Sequence, residues 1–346
     1  MKFHIDEEYL IRCFRELVSV PSPVGYRVQM MPMLERYAAD YGCTVTCDRR
    51  GTAYLTLEGE DNSKTVLLAS HCDTIALMVR GIDANGMLRV RQLGGVNYSS
   101  LEGESVTVHT RNGREYTGLL ACRSHSVHVF EDARTLERTE DTMVVLLDED
   151  VHSEQDVRSL GIRHGDYISI DPHCEYTKNG YLKSRFIDDK AAVACVFTAL
   201  KYLKEHGLKP KFRTMLAFTF AEEIGMGGPY VPPEVSEYVA IDIGLIGPDY
   251  DGNERNVSII AKDNKTVYTY ELVNRLVDYA EKAGCDYALD VFHRYGSDAS
   301  TALGSSNDIQ VGAFGMPVYC SHGRERTHML SLKNTANLLL AYLLDI

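Results

Sequence analysis

Apolar positions recur along the chain in two rhythms, and the places where one replaces the other divide it. Near the start, Leu10, Ile11, Phe14, Leu17 and Val18 fall at helical spacing, and Pro21-Ser22-Pro23-Val24-Gly25 stops the run, so residues 7–19 are expected to form a helix. A second helix is expected over 27–41, a strand pair over 43–47 and 53–57, and a continuous apolar strand over 65–69 that runs into His71. From about 77 to 182 the texture changes to short alternating runs at 87–93, 104–110, 116–122 and 167–171, separated by the hairpin signals Asn85-Gly86, Asn112-Gly113 and Asn179-Gly180. Short strands at even spacing predict a small β-barrel or sandwich. After 183 the alternation of helix and strand returns. A helix over 189–206 would turn Ala192, Val193, Val196, Phe197, Leu200 and Leu203 inward, and strands over 213–220, 238–242, 287–292 and 309–314 and helices over 268–283 and 334–345 follow.

Helices between apolar strands imply an α/β fold, a mostly parallel mixed sheet flanked by helices. The expected organisation is one domain from 1–76 and 183–346, with an inserted small β-barrel domain over 77–182. Ligands of such sheets bind beyond the carboxyl ends of the strands. Composition narrows the partners. With 346 residues, 45% hydrophobic and 25% charged, the chain is an ordinary globular one, and its net charge of −13 with no offsetting basic cluster argues against nucleic acid. Nine cysteines without C-x-x-C spacing read as reduced thiols, the N-terminal residues lack the uninterrupted apolar core of a signal peptide, and no later run approaches the length of a membrane span. The cytoplasm is the expected location, with no membrane partner.

Chemistry gathers at strand ends. Glu222-Glu223 follows the apolar run 215–220, and two adjacent like charges there are costly unless something positive absorbs them. An exposed first helical turn would also tolerate two glutamates, but Ile224-Gly225-Met226-Gly227-Gly228 argues for close backbone approach instead. His71-Cys72-Asp73 ends another strand, where Asp73 could fix the tautomer of a metal-binding His71; a capped strand end is the plainer reading of this pair alone. Asp188-Asp189 opens the long helix, which a capping role explains for one aspartate more easily than for two. Asp242, set among Val239, Ala240, Ile241 and Ile243, needs a partner or a cation. His322 and His328 follow the last strand, and either could be a ligand. The remaining histidines, His109, His125, His128, His152, His164, His173 and His293 among them, are expected at the surface. Together these residues could supply two metals sharing a water, with hard oxygen and imidazole ligands suited to Zn, Co or Mn.

The order His-x-Asp, barrel-like insertion, Asp-Asp, Glu-Glu, Asp, late His, opening on Leu17-Val18-Ser19-Val20-Pro21-Ser22-Pro23, resembles the M42 family of dinuclear metallo-aminopeptidases, the TET and glutamyl aminopeptidases. The resemblance implies a zinc-peptidase-like fold and removal of the N-terminal residue from short peptides. It implies two divalent ions per subunit, Zn first and Co or Mn as alternatives, and a homo-oligomer, commonly a dodecamer. Residue by residue, it implies that His71, Asp188 and Asp242 hold one ion, that Asp188 bridges to a second held by Glu223 and His322, that Glu222 is the general base, and that Asp73 orients His71. Gly296-Ser297-Asp298-Ala299 matches the family's Gly-Thr-Asp-Ala stretch. Departures lie at Asp73-Thr74-Ile75-Ala76, where the family has Asp-Glu-Ile-Gly, and after His322, where its Ser-x-x-Glu is replaced. An M20-like deacylase or dipeptidase is the alternative, but its extra domain usually follows the Glu-Glu pair. A glycosidase would leave His71, Asp242 and His322 unemployed, and a non-catalytic scaffold has no use for a complete ligand set.

Overall fold

A computed structural model describes residues 2–346. The chain up to Asp73 together with His173–Ile346 forms one compact unit, and Thr74–Pro172 forms a second. The first is built on an eight-stranded mixed sheet in the order Thr46–Cys47, Ala53–Leu57, Phe212–Thr219, Asp61–His71, Val235–Leu245, Gln310–Val318, Val257–Lys262, Tyr287–Val291. The four central strands, from Phe212–Thr219 to Gln310–Val318, run parallel to one another. Burial on both faces is why they read as unbroken apolar runs instead of alternating ones.

Helices Ile187–Glu205 and Met329–Leu344 pack on each other and on these strands, and both are buried on almost every side. Helix Glu7–Val18 is the contrasting case. It buries Leu10, Ile11, Cys13, Phe14, Leu17 and Val18 on one face and starts at Asp6, whose carboxylate accepts the Tyr9 N–H. Phe197 shows how the layers are pinned: its ring stacks 4.6 Å from Tyr37 and 5.4 Å from Phe218. Burying one such side chain contributes about 1.5–3 kcal/mol. Ala53–Leu57 and Val257–Lys262 run antiparallel to the flanking central strands and make the sheet mixed. Val257–Lys262 is absent from the expected strands; periodicity does not predict it, because six mostly apolar residues cannot be told from a buried helical turn.

In the second unit, six strands close into a barrel in the order Ala76–Ile82, Leu88–Leu93, Met143–Leu147, Glu115–Cys122, Ser105–His109, Tyr167–Ile170. This unit ends at Pro172, earlier than the expected 182. The hairpin Glu175–Tyr176 and Tyr181–Ser184 around Asn179-Gly180 resembles barrel sequence, but it pairs with Glu325–His328 in a three-stranded sheet of the first unit. His109 also departs from expectation. It is buried, with Nδ1 3.0 Å from Glu115 Oε1 and Nε2 2.7 Å from Ser169 Oγ, partners that neighbouring strands bring to it. Among the described residues, no helix is long and apolar enough to cross a membrane.

Candidate metal centre

Each central parallel strand delivers one part of the site at or just beyond its carboxyl end. His71 is the last residue of its strand and pairs in register with Thr219, after which the chain turns through the short helix Glu222–Ile224. Asp242 lies near the end of Val235–Leu245, and His322 follows Gln310–Val318. Asp188 and Asp189 arrive from the start of helix Ile187–Glu205, where they depart from helical geometry.

Asp188 sits between the two imidazoles. Its Oδ1 is 2.9 Å from His71 Nε2, and its Oδ2 is 3.6 Å from His322 Nε2. His322 Nε2 is also 3.3 Å from Glu223 Oε2, while Glu222 Oε2 stands 3.8 Å from His71 Nε2. Potential ligand atoms cluster in two groups that share His71, one with Asp189 and Asp242 and one with Asp188 and Glu223. Thus the structure brings together His71, Asp188, Glu222, Glu223, Asp242 and His322. Asp189, absent from the expected set, competes with Asp188 for the first group. One of its oxygens is already engaged by the His71 backbone N–H at 3.0 Å, whereas Asp188 turns an oxygen to each imidazole.

Asp73 does a different job from the one expected of its carboxylate. The hydrogen bond to His71 Nδ1 comes from the Asp73 carbonyl oxygen at 2.9 Å, and the nearer carboxylate oxygen is 3.7 Å away. The carboxylate instead accepts the backbone N–H groups of Glu222 and Glu223, each at 3.2 Å, and so holds the glutamate turn. Sequence spacing cannot separate these roles, since both place Asp73 two residues after His71. The opening motif braces the same strand ends: Ser22 Oγ donates to the Cys72 carbonyl at 2.6 Å, and the Gly25 N–H donates to the Phe220 carbonyl at 2.8 Å. Cys72 itself is buried, and burial pushes its thiol up to about 12.

Gly227 and Gly228 are there for packing, while Gly225 supplies the positive φ that ends the short helix. A Cβ on Gly227 would lie 2.2 Å from Asp298 Oδ1, and one on Gly228 would lie 2.1 Å from the Asp298 carbonyl oxygen. No side chain fits between this loop and Asp298. His328 lies outside the cluster. Its Nδ1 accepts the Leu330 N–H at 3.1 Å and its Nε2 is 2.9 Å from the Asn179 carbonyl oxygen, so it caps the final helix and orders a loop.

Electrostatics at the site favour a cation. Burial pushes Glu222 well above the usual carboxylate range, Glu223 to about 8 and Asp242 to about 7, with the Asp188 charge adding to the last two. Burial opposes ionisation of Asp188 too, but the hydrogen bonds to His322 and His71 hold it below its ordinary value. Burial also disfavours charged His71, yet Asp188 and the neighbouring acids raise it well above its ordinary value. Asp189 Oδ1 and Asp298 Oδ1 are buried with no hydrogen-bond partner among the described residues. Two imidazoles amid crowded carboxylates, without a thiolate, are a donor set that fits divalent cations.

A model of the M42 glutamyl aminopeptidase family matches residues 51–338. The chain belongs to that family. Consistent with this, it is 40% identical over 329 residues to a Bacillus subtilis protein named "Putative aminopeptidase YhfE", a match covering 95% of each chain. The M42 fold is shared with an aminopeptidase from Desulfurococcus kamchatkensis at a TM-score of 0.87 and 22% identity, over 98% of this chain and 96% of that one. It is shared also with Pyrococcus horikoshii TET1 peptidase, which can assemble into a tetrahedron or a large octahedral shell, at a TM-score of 0.84 and 24% identity over 97% of this chain and 100% of that one. As an M42 member, the chain is a metal-dependent aminopeptidase, a hydrolase.

Proposed function

We propose that this M42 aminopeptidase removes the N-terminal residue of short peptides at a centre of two divalent ions. His71, Asp188 and Asp242 would hold one ion, and Asp188, Glu223 and His322 the other. The observation that carries this reading is Asp188, whose two carboxylate oxygens face the imidazoles of His71 and His322 separately. When bound, the ions would polarise the scissile carbonyl and lower the pKa of water for attack at neutral pH. Glu222 would take the proton from the attacking water and return it to the leaving amine. Its turn is held by Asp73, and its side chain keeps 13% exposure where Glu223 keeps 3%, which suits a base facing substrate and a ligand facing inward. Zn is the proposed metal, with Co and Mn compatible with the same ligands.

The test is removal and return of metal. Chelation should abolish hydrolysis of a panel of aminoacyl amides, and Zn, Co or Mn should restore it; full activity from a protein shown by elemental analysis to hold no metal would sink the reading. We place the enzyme in the cytoplasm, a setting supported by nine cysteines that are all free. A homo-oligomer, on the pattern of the TET1 peptidase neighbour that can assemble into a tetrahedron or a large octahedral shell, is also proposed. Light scattering of the purified chain should then give a particle many times its 38.8 kDa mass, and a monomer would count against assembly.

A further inference from the structure

Glu325 is 2% exposed and touches the site twice through backbone N–H groups. Its Oε2 accepts the backbone N–H of Asp188 at 3.0 Å, and its Oε1 accepts that of His322 at 3.3 Å. Both residues are among the three proposed to hold the second ion, and they come from chain segments far apart in sequence. The surrounding geometry makes the double contact consequential. His322 rides on a tight loop closed where Tyr319 and Arg326 exchange backbone hydrogen bonds. Within that loop Cys320 and His322 both take positive φ, 58° and 62°, a conformation that non-glycine residues hold only when their surroundings impose it. On the other side, Glu325 opens strand Glu325–His328 and pairs in register with Ser184, shortly before Asp188. The His71 half of the site is held by other means, the Asp189 carboxylate on its backbone N–H and the Asp73 carbonyl on its ring.

We propose that Glu325 is a positioning residue that sets the spacing between Asp188 and His322, and so governs the affinity of the second metal ion separately from that of the first. The inference rests on the two-ion reading above. Physically, a carboxylate offers two acceptors to two N–H groups, and the isosteric amide offers one acceptor and turns a donor against the other N–H. Groups that orient ligands without binding the ion typically change metal affinity by about 10- to 100-fold.

Zn(II) and Co(II) titrations of Glu325→Gln, read by elemental stoichiometry and by the Co(II) absorption spectrum, test this. The first ion should bind as in the wild type, the second about 10- to 100-fold more weakly, and turnover should recover when metal is raised to saturation. His322→Ala should lose the second ion without such recovery. Glu325→Asp, which keeps two acceptors on a shorter stem, should fall between wild type and Gln, and it serves if the Gln variant does not fold. Two ions bound by Glu325→Gln with unchanged affinities would overturn the inference, as would equal loss of both ions. If the wild type itself binds fewer than two ions, the two-ion reading is what fails.

Discussion

Glu222→Gln should keep both metal ions and lose roughly 10²- to 10⁴-fold in turnover. The amide is isosteric and leaves the turn Glu222–Ile224 intact, because Asp73 holds that turn through backbone N–H groups and not through the side chain. On the proposed reading, what should disappear is the ability to take and return a proton. Glu223→Gln should behave in the opposite way. Its carboxylate is almost fully buried and lies 3.3 Å from His322, so its loss should weaken one ion first and turnover only as a consequence. Metal analysis beside steady-state kinetics on the two variants separates the roles. Metal loss in Glu222→Gln with retention in Glu223→Gln would mean that the two are exchanged.

Asp188→Asn should have the broadest effect of any single ligand change. Asparagine can present one oxygen where aspartate presents two, and its amide donor would be turned toward one of the imidazoles that now face Oδ1 and Oδ2. Both ions should therefore bind more weakly, and hydrolysis should fall to background. Thermal unfolding gives an independent readout. A ligand at 100 times its Kd stabilises the native state by about 2.7 kcal/mol per site, so the wild type should gain stability on titration with Zn and the variant should gain little. A variant that still bound two ions and showed the full Zn-dependent gain would remove Asp188 from the shared position and direct attention to Asp189, which lies in the other ligand cluster.

The site was legible where a ligand-bearing residue interrupts or ends a buried strand. His71, Asp242 and Glu222-Glu223 stand out because a central parallel strand has no ordinary use for an ionisable group. His322 was legible only in part, since His328 follows the same strand. In the structure His328 spends its ring nitrogens on the Leu330 N–H and the Asn179 carbonyl, while His322 faces Asp188 and Glu223. Asp189 and Glu325 left no comparable mark. Each acts by accepting a backbone N–H from a residue distant in sequence, and every residue except proline carries that donor, so no side-chain pattern records the pairing.

The boundary of the inserted unit was misplaced for a related reason. Turn chemistry around Asn179-Gly180 predicts a hairpin correctly, but hairpin signals do not name the sheet that the hairpin joins, and this one pairs with Glu325–His328. Strand alternation, helix periodicity and turn residues are local properties, and from them follow the α/β architecture, the barrel texture and the set of acids and imidazoles at strand ends. The family is likewise written in the order of those residues. The two-sided placement of Asp188, the clamp of Asp73 on the glutamate turn and the link that Glu325 makes between Asp188 and His322 arise only when separate segments pack together. They depend on distances between residues that the chain keeps far apart in sequence, and those distances are set by which strands pair and in what register.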